Sequence, residues 1–403
     1  MSAWPIVEIG DVTRIVGGGT PTRGNSSFYD GDIPWVTPKD MKRWIINDSQ
    51  VRITQEGLDN SAARLAPSNS VLVVVRSGVL KHTLPVALNR RPVAINQDMK
   101  ALICHESVFP DYLARFIKER SGTILQWVRA TTADNFPVAN LKNLQMPLPP
   151  VEMQRRIVQV LDCVDSLRDK RRQAVALLDE LTQSIFLDMF GDPVSNPLEL
   201  PMSTLGGIGE VQGGLQLSGK RSELPVQVPY LRVANVYRNK LQLGEIKEMR
   251  ASAAEVERTL LRDGDLLVVE GHGNPREIGR AAIWDGSISP CVHQNHLIRV
   301  RVDKRLAHPD FVVHYINSPG GRQHLLGGAR TTSGLNTISV SVVKNTPVAL
   351  PDVEQQSRFA DRVAHLDSMR AMHMEHLAEL DALFASLQHR AFRGELLPDP
   401  AIA

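Results

Sequence analysis

The chain has 403 residues, 42% hydrophobic and 22% charged, with a formal net charge of +2; that balance excludes disordered and collagen-like classes and suits an ordinary folded protein. It is too long for one core, so two or more domains are expected. Only Cys104, Cys163 and Cys291 are present, an odd number that excludes a disulfide framework and points to a reducing, cytoplasmic setting. The opening MSAWPIVEIG lacks the pattern of a signal peptide, and the longest apolar run, Val71 to Val75, falls far short of the roughly 18 residues of a membrane span.

In chain order, VLVVVR from Val71 and PVALN from Pro85 read as strands, and Asp111 to Lys118 as a short helix. LPPVEMQRRI from Leu148 then opens a long stretch without Gly or Pro, ended by Gly191 and Pro193. The same succession returns: strands at DLLVVE from Asp265, AAIW from Ala281 and HLIRVRV from His296, a short helix at Asp310 to Ile316, and LPDVEQQSRF from Leu350 ahead of a second uninterrupted stretch, ended by Gly394 and Pro398. IPWVTPKDM at Ile33 matches VPYLRVANV at Val228, and FPDYLARFI at Phe109 matches HPDFVVHYI at His308. The offset climbs from 195 to 199 and reaches 202 at the two helix starts, the drift of a duplicated unit with small loop insertions. Each copy is therefore a mixed sheet-and-helix domain with a helix appended. The expected boundaries are 1–150, 151–192 for the first long helix, 193–351, 352–397 for the second, and a tail at 398–403.

Steps of three and four place Ile157, Val160, Val164, Leu167, Arg171, Ala174, Leu178, Leu181 and Ile185 on one face of the first helix. Adding 202 gives Phe359, Arg362, Leu366, Met369, His373, His376, Leu380, Leu383 and Leu387. Pro149 and Pro150 open the first helix; Asp352 with Gln355 makes a capping pair for the second. A helix of about 35 residues with one apolar seam needs a partner, and the two are expected to pair antiparallel, related by a pseudo-twofold axis.

Residues 1–150 hold 17 Lys and Arg against 13 Asp and Glu, and 198–351 hold 18 against 14, so each is +4; 151–197 and 352–403 are −2 and −4. Basic domains joined by acidic helices suit two nucleic-acid-contacting heads on a protein-facing spacer. Catalytic motifs are missing. GLQLSGKR from Gly214 imitates a phosphate-binding loop but carries Arg221 where Ser or Thr would hold magnesium, and it reads as a chance match. Cys104 beside His105, and Cys291 near His293 and His296, lack the spacing of a zinc site, so no metal is expected. No Gly-rich cofactor loop, base-methylation motif or nuclease carboxylate cluster is evident.

The stretch from Pro147 to Pro193 closely resembles the central conserved region of the specificity subunits of type I restriction-modification systems. LPDVEQQSRF and SLQHRAFRGEL from Ser386 resemble their second conserved region, while INQDMKAL, HQNHLIRVR and the EIGDV…GGGTP opening at Glu8 resemble pieces of their target recognition domains. The resemblance implies a non-catalytic DNA-reading subunit for host defence. Two mixed α/β recognition domains in pseudo-twofold repeat would each read half of a bipartite, asymmetric site, separated by an antiparallel coiled coil that fixes the gap. That coiled coil would dock two modification subunits, adenine methyltransferases carrying S-adenosylmethionine; restriction subunits with ATP and magnesium would complete the complex. No cofactor is expected on this chain. A stand-alone DNA-binding regulator or a coiled-coil scaffold protein is the competing reading.

Polar loops after strands are the expected base readers. They are Arg76, Ser77, Lys81, His82, Arg129, Thr131 and Thr132 in the first domain, and Arg232, Asn235, Arg276, Arg280, Arg330, Thr331, Thr332 and Ser333 in the second. Phe190 and Phe392, equivalent under the 202 offset, are expected to dock a protein partner or the helix's own head domain, and the mixed-charge face around Arg155, Asp162, Asp165 and Arg168 offers further docking surface.

Overall fold

Consecutive Val and Leu at 71–74 and 266–269 are buried at every position, the mark of a strand covered on both faces. Each is an inner strand of a four-stranded antiparallel sheet. The computed structural model describes residues 4–128, 134–332 and 335–396. The chain divides into two compact units, Met1–Arg171 with His376–Ala403, and Arg172–Glu375. The divisions fall inside the two long helices, not at their starts.

In the first unit the main sheet runs Thr13–Gly17, Met99–Cys104, Val71–Val74, Val86–Leu88. In the second the equivalent order is Gly209–Gly213, Leu297–Val302, Leu266–Val269, Ala281–Ile283. A second sheet in each contains one parallel pair, Trp35–Val36 with Ala94–Ile95 and Tyr230–Leu231 with Val292–His293. A two-stranded ribbon closes each unit, Ile6–Glu8 on Gln145–Pro147 and Met202–Thr204 on Pro347–Ala349. Each copy is thus a mixed α/β frame with the same connectivity.

Four helices fasten to these frames: α1 (Pro110–Glu119), α2 (Val151–Phe190), α3 (Pro309–Asn317) and α4 (Val353–Ala391). The shared Gln of the two long-helix openings explains how such a helix is held. Gln154 Oε1 accepts from Phe109 N at 2.7 Å while its Nε2 donates to Ser107 O and Pro149 O, both 2.8 Å. Gln356 repeats this with His308 N at 2.8 Å, Pro351 O at 2.7 Å and Leu306 O at 3.5 Å. Both glutamines are fully buried. The expected capping pair at Asp352 and Gln355 is corrected: Gln355 is exposed, and the next residue does the fastening. The helices stop where expected, with Gly191 (φ 72°) and Gly394 (φ 79°) in the left-handed region that glycine adopts without strain.

The seam needs a larger correction. Ile157, Val164, Leu178, Phe359 and Leu366 are buried, and Ile185, Leu380 and Leu387 are half-buried. Leu167, Leu181 and Leu383 are instead 43%, 44% and 46% exposed, and Val160 and Met369 are only half-buried. The inward stripe passes one residue later through Leu161, Arg168, Val175 and Thr182 on α2, and through Val363, Arg370, Leu377 and Phe384 on α4, all of them buried or half-buried. Arg168, Thr182 and Arg370 carry polar heads, so an apolar count steps past them. Near the middle of α4 the expected His376 shares its half-buried place with Leu377.

Within each unit the helix segments pair antiparallel. In the first, Arg168 Nε donates to Asp381 at 2.6 Å and its guanidinium lies 4.5 Å from the Phe384 ring, while nearer the start of α2 Asp162 is held by Arg115, whose backbone carbonyl accepts from Gln388. In the second, Arg370 pairs with Asp179 at 2.5 Å, and Phe186 and Phe190 both lie 5.5 Å from Phe359. Arg168 also holds Asp165, and Arg370 holds Asp367. The clasp residues correspond at an offset of 202, so one ionic clasp is present twice.

Phe190 and Phe392 are 4% exposed each, which rules out a role as partner-docking aromatics. Phe392 packs 5.3 Å from both Tyr112 and Phe116 of α1. Phe190 packs 4.9 Å from Phe311 of α3. Each ends its helix by filling a core, and in each case the core is not that of the domain the helix leaves. Part of the mixed-charge face is also consumed internally: Arg115, 7% exposed, bridges Asp162 and Asp165, and Arg155 stacks on Phe109 at 4.5 Å.

Candidate nucleic-acid interface

In both units the inner strand of the main sheet runs out into a polar loop, 75–82 in the first and 270–278 in the second, and that loop pairs with a segment far along the chain. Arg76 bridges Asn135. Gly271 and His272 pair with Thr337 and Asn336, and Leu335–Thr337 pairs in turn with Arg330–Thr332 to make a three-stranded sheet. Among the described residues this places Arg76, Ser77, Lys81 and His82 on one loop of the first unit, and Arg276 with the strand Arg330–Thr332 on the paired segments of the second.

In the first unit Ser77 accepts from Val79 N and so caps the 3-10 turn Gly78–Lys81, presenting Lys81 and His82 as exposed side chains. Arg76 is exposed and held by Asp98 at 2.6 Å; Lys81 sits 3.4 Å from Asp134. Arg129, Thr131 and Thr132 lie outside the described residues, as does Ser333. In the second unit Arg276 and Arg330 are exposed, and Thr331 and Thr332 continue the strand that starts at Arg330.

Two expected readers are corrected. Asn235, 2% exposed, accepts from Arg232 N and donates to Gln242 O and Glu245 O, so its amide is used up in closing a turn. Arg280, 5% exposed, donates to Val233 O and Glu277 and stacks over Tyr237. The hydrogen bond from Arg280 holds the Glu277 carboxyl below the usual carboxylate range. A buried polar group is held by its own partners, and losing them to meet a base would strand those partners. Arg232, 25% exposed at its side chain, is paired with Glu245.

Glu270 is a polar group of this loop that a count of cations steps past. Its carboxylate lies 3.1 Å from His296 Nδ1 at the foot of the second unit's loop, and burial raises its pKa above the ordinary value. A carboxylate there can accept from an exocyclic amino group, as from cytosine N4. The first unit reverses the polarity: its loop supplies the cation, Arg76, and its turn the acid, Asp98. The mimic of a phosphate loop at Gly214 is a different object altogether, since Arg221 is spent on Glu255 at 3.0 Å within a short turn.

Among the described residues no group of three His, Cys, Asp or Glu side chains is placed to hold a metal. Burial pushes the thiols of Cys104 and Cys291 up to about 12, keeping them protonated, and pushes His293 down to about 4, keeping it neutral. No helix among the described residues is long and apolar enough to cross a membrane.

Residues 1–177 match the family model described as type I restriction modification DNA specificity domain. The EcoR124I/EcoR124II specificity subunit of Escherichia coli is 36% identical over 178 residues, which cover 43% of this chain and 44% of that relative, so this match spans less than half of the relative's length. The EcoKI specificity subunit of Escherichia coli strain K12 is 24% identical over 427 aligned residues, covering 98% and 89%. In fold, the chain is similar to the S subunit of a type I restriction-modification system from M. genitalium, with a TM-score of 0.55, 14% identity and coverage of 99% and 97%. A chain solved for the complex assembly and conformational transition of a type I R-M system gives a TM-score of 0.63 at 18% identity, covering 98% of both. The shared helix openings, the duplicated frame and these matches agree: residues 1–177 carry the match to the type I restriction modification DNA specificity domain, and along nearly its whole length the chain is similar to specificity subunits of type I restriction enzymes.

Proposed function

We propose that the two globular regions each read one half of a bipartite, asymmetric site in double-stranded DNA. The chain is a sequence-recognition subunit that works within a methyltransferase and endonuclease complex and does no chemistry itself. The observation that carries the two-half reading is the paired-loop arrangement: the same two loops meet in both copies of the frame, yet Arg76 and Asp98 stand in one where Glu270 and His296 stand in the other. Unlike polar groups on like frames would select unlike bases. The readers on this view are Arg76, Ser77, Lys81, His82, Arg276, Arg330 and Glu270. Helices α2 and α4 would set the number of unread base pairs and dock two modification subunits, which would bring S-adenosylmethionine. Restriction subunits would bring ATP and magnesium, all in the cytoplasm. A regulator or scaffold is disfavoured because relatives matched along nearly the whole chain are specificity subunits.

The test is co-expression with the cognate modification subunit and mapping of methylated adenines across genomic DNA. The expected result is a split motif with a fixed gap, of which only one half changes when residues of one globular region are exchanged for those of a relative. Unsplit sites, or no methylation, would overturn the reading.

A further inference from the structure

A cleft of about 390 Å³ opens in the first unit between the segment 38–44 and the segment 79–86. Its second wall is continuous with the 3-10 turn that presents Lys81 and His82. Its first wall carries Lys39, Lys42 and Arg43, all exposed. Among the described residues none of the three forms an ion pair. Asp40, the one acid between them, is turned away: its oxygens accept from Thr37 N and Oγ1 at 2.8 Å and from Gln50 N at 2.9 Å. A fourth cation, Lys118, reaches the same cleft and donates to Leu84 O at 2.9 Å.

The corresponding segment of the second unit holds fewer cations, with Ala234 and Tyr237 where the first has Lys39 and Lys42, and the arginines in and beside it are paired. Arg232 and Lys247 share Glu245 at 2.9 and 3.8 Å, and Arg238 meets Glu277 at 3.4 Å. Like charges crowded without counter-charge repel one another, and the crowding is relieved when an anion lies across them. One copy of the frame holds three such cations together, while the other has one paired cation, Arg238, at the equivalent positions.

We propose that this cleft is a binding surface for the DNA phosphate backbone beside the first half-site, making the first unit the salt-sensitive anchor of the chain. The proposal rests on the DNA-reading function above. Lys39, Lys42 and Arg43 contribute attraction and position without selecting bases, and each phosphate they neutralise steepens the salt dependence of binding.

The test uses the full chain assembled with its modification subunit, comparing wild type with the Lys39→Gln, Lys42→Gln, Arg43→Gln triple variant. Affinity for a duplex carrying the mapped motif, and for one lacking it, is measured from about 50 to 200 mM salt. The slope of log affinity against log salt is expected to become shallower by roughly two to three. Both duplexes should weaken alike, and the methylated motif should stay the same. The double variant Arg238→Gln, Lys240→Gln of the second unit should change the slope by less than half as much. An unaltered slope in the triple variant, an equal drop in the double variant, or a changed first half-motif would overturn the proposal. So would competition by millimolar inorganic phosphate at constant ionic strength, which would mark a site for the free ion. If wild type shows no salt-dependent duplex binding, the DNA-reading function itself fails; if wild type binds and the triple variant matches it, only the cleft assignment fails. The three side chains have no ion pair to lose, so an unchanged melting temperature verifies the fold.

Discussion

The two compact units share a frame and differ in what they do with charge. The sheet order, the closing ribbon, the buried glutamine at each helix start and the arginine clasp all correspond. Where the units differ, the difference is electrostatic: Arg115 of α1 binds two helix carboxylates, but its counterpart in α3, His314, packs against Phe359 and is pushed by burial to a pKa of about 4. Duplication kept the contacts whose loss would strand buried groups. It changed the loops and surfaces whose partners lie outside the fold.

If the helix ends are true equivalents, Phe392→Ala and Phe190→Ala should each cost about 3 to 5 kcal/mol, the usual loss for a large aromatic removed from a core. Hydrogen exchange should show the first variant loosening the strands around Val71–Val74 and the second those around Leu266–Val269. An effect of either variant confined to the helix tip would break the comparison.

A difference between the units should emerge in acid. His293 is fully buried and His314 half-buried in the second unit, and desolvation lowers both to folded pKa values of about 4, below the ordinary 6.5, so both are neutral. The unfolded chain takes up protons first as pH falls, so their contribution is complete above about pH 6.5 and is lost progressively between about pH 6.5 and 4. Each can account for on the order of 3 kcal/mol over that window. The amides of Leu266–Val269 should therefore lose protection between about pH 7 and pH 5 more than those of Val71–Val74. Equal loss in both would remove the distinction.

The smallest effect belongs to the clasp. Arg168→Ala and Arg370→Ala each remove an ion pair to the facing helix whose carboxylate is well exposed, so a cost of about 1 kcal/mol is expected from denaturant melts. The doubly reversed pair Arg168→Asp with Asp381→Arg should recover part of its share. A cost above about 3 kcal/mol at one clasp alone would show that the two are not equivalent.

Of this architecture, the duplication, the two long helices and their stops could be read directly from residue order. Val-Glu-x-Gln after proline, heptad spacing and terminal glycine act locally, within one turn or one helix face. The inward stripe was legible only in part, because Arg168, Thr182 and Arg370 sit in it by virtue of partners and packing that their own polarity conceals. For the same reason Asn235 and Arg280 looked like base readers: beside a partner three positions away, each has hydrogen-bond partners 7 to 47 positions away along the chain. Glu270 and the unneutralised Lys39, Lys42 and Arg43 became visible only once folding showed which charges have neighbours. Local backbone preference is written into adjacent residues, whereas the fate of a charge or an amide depends on what distant chain is brought against it.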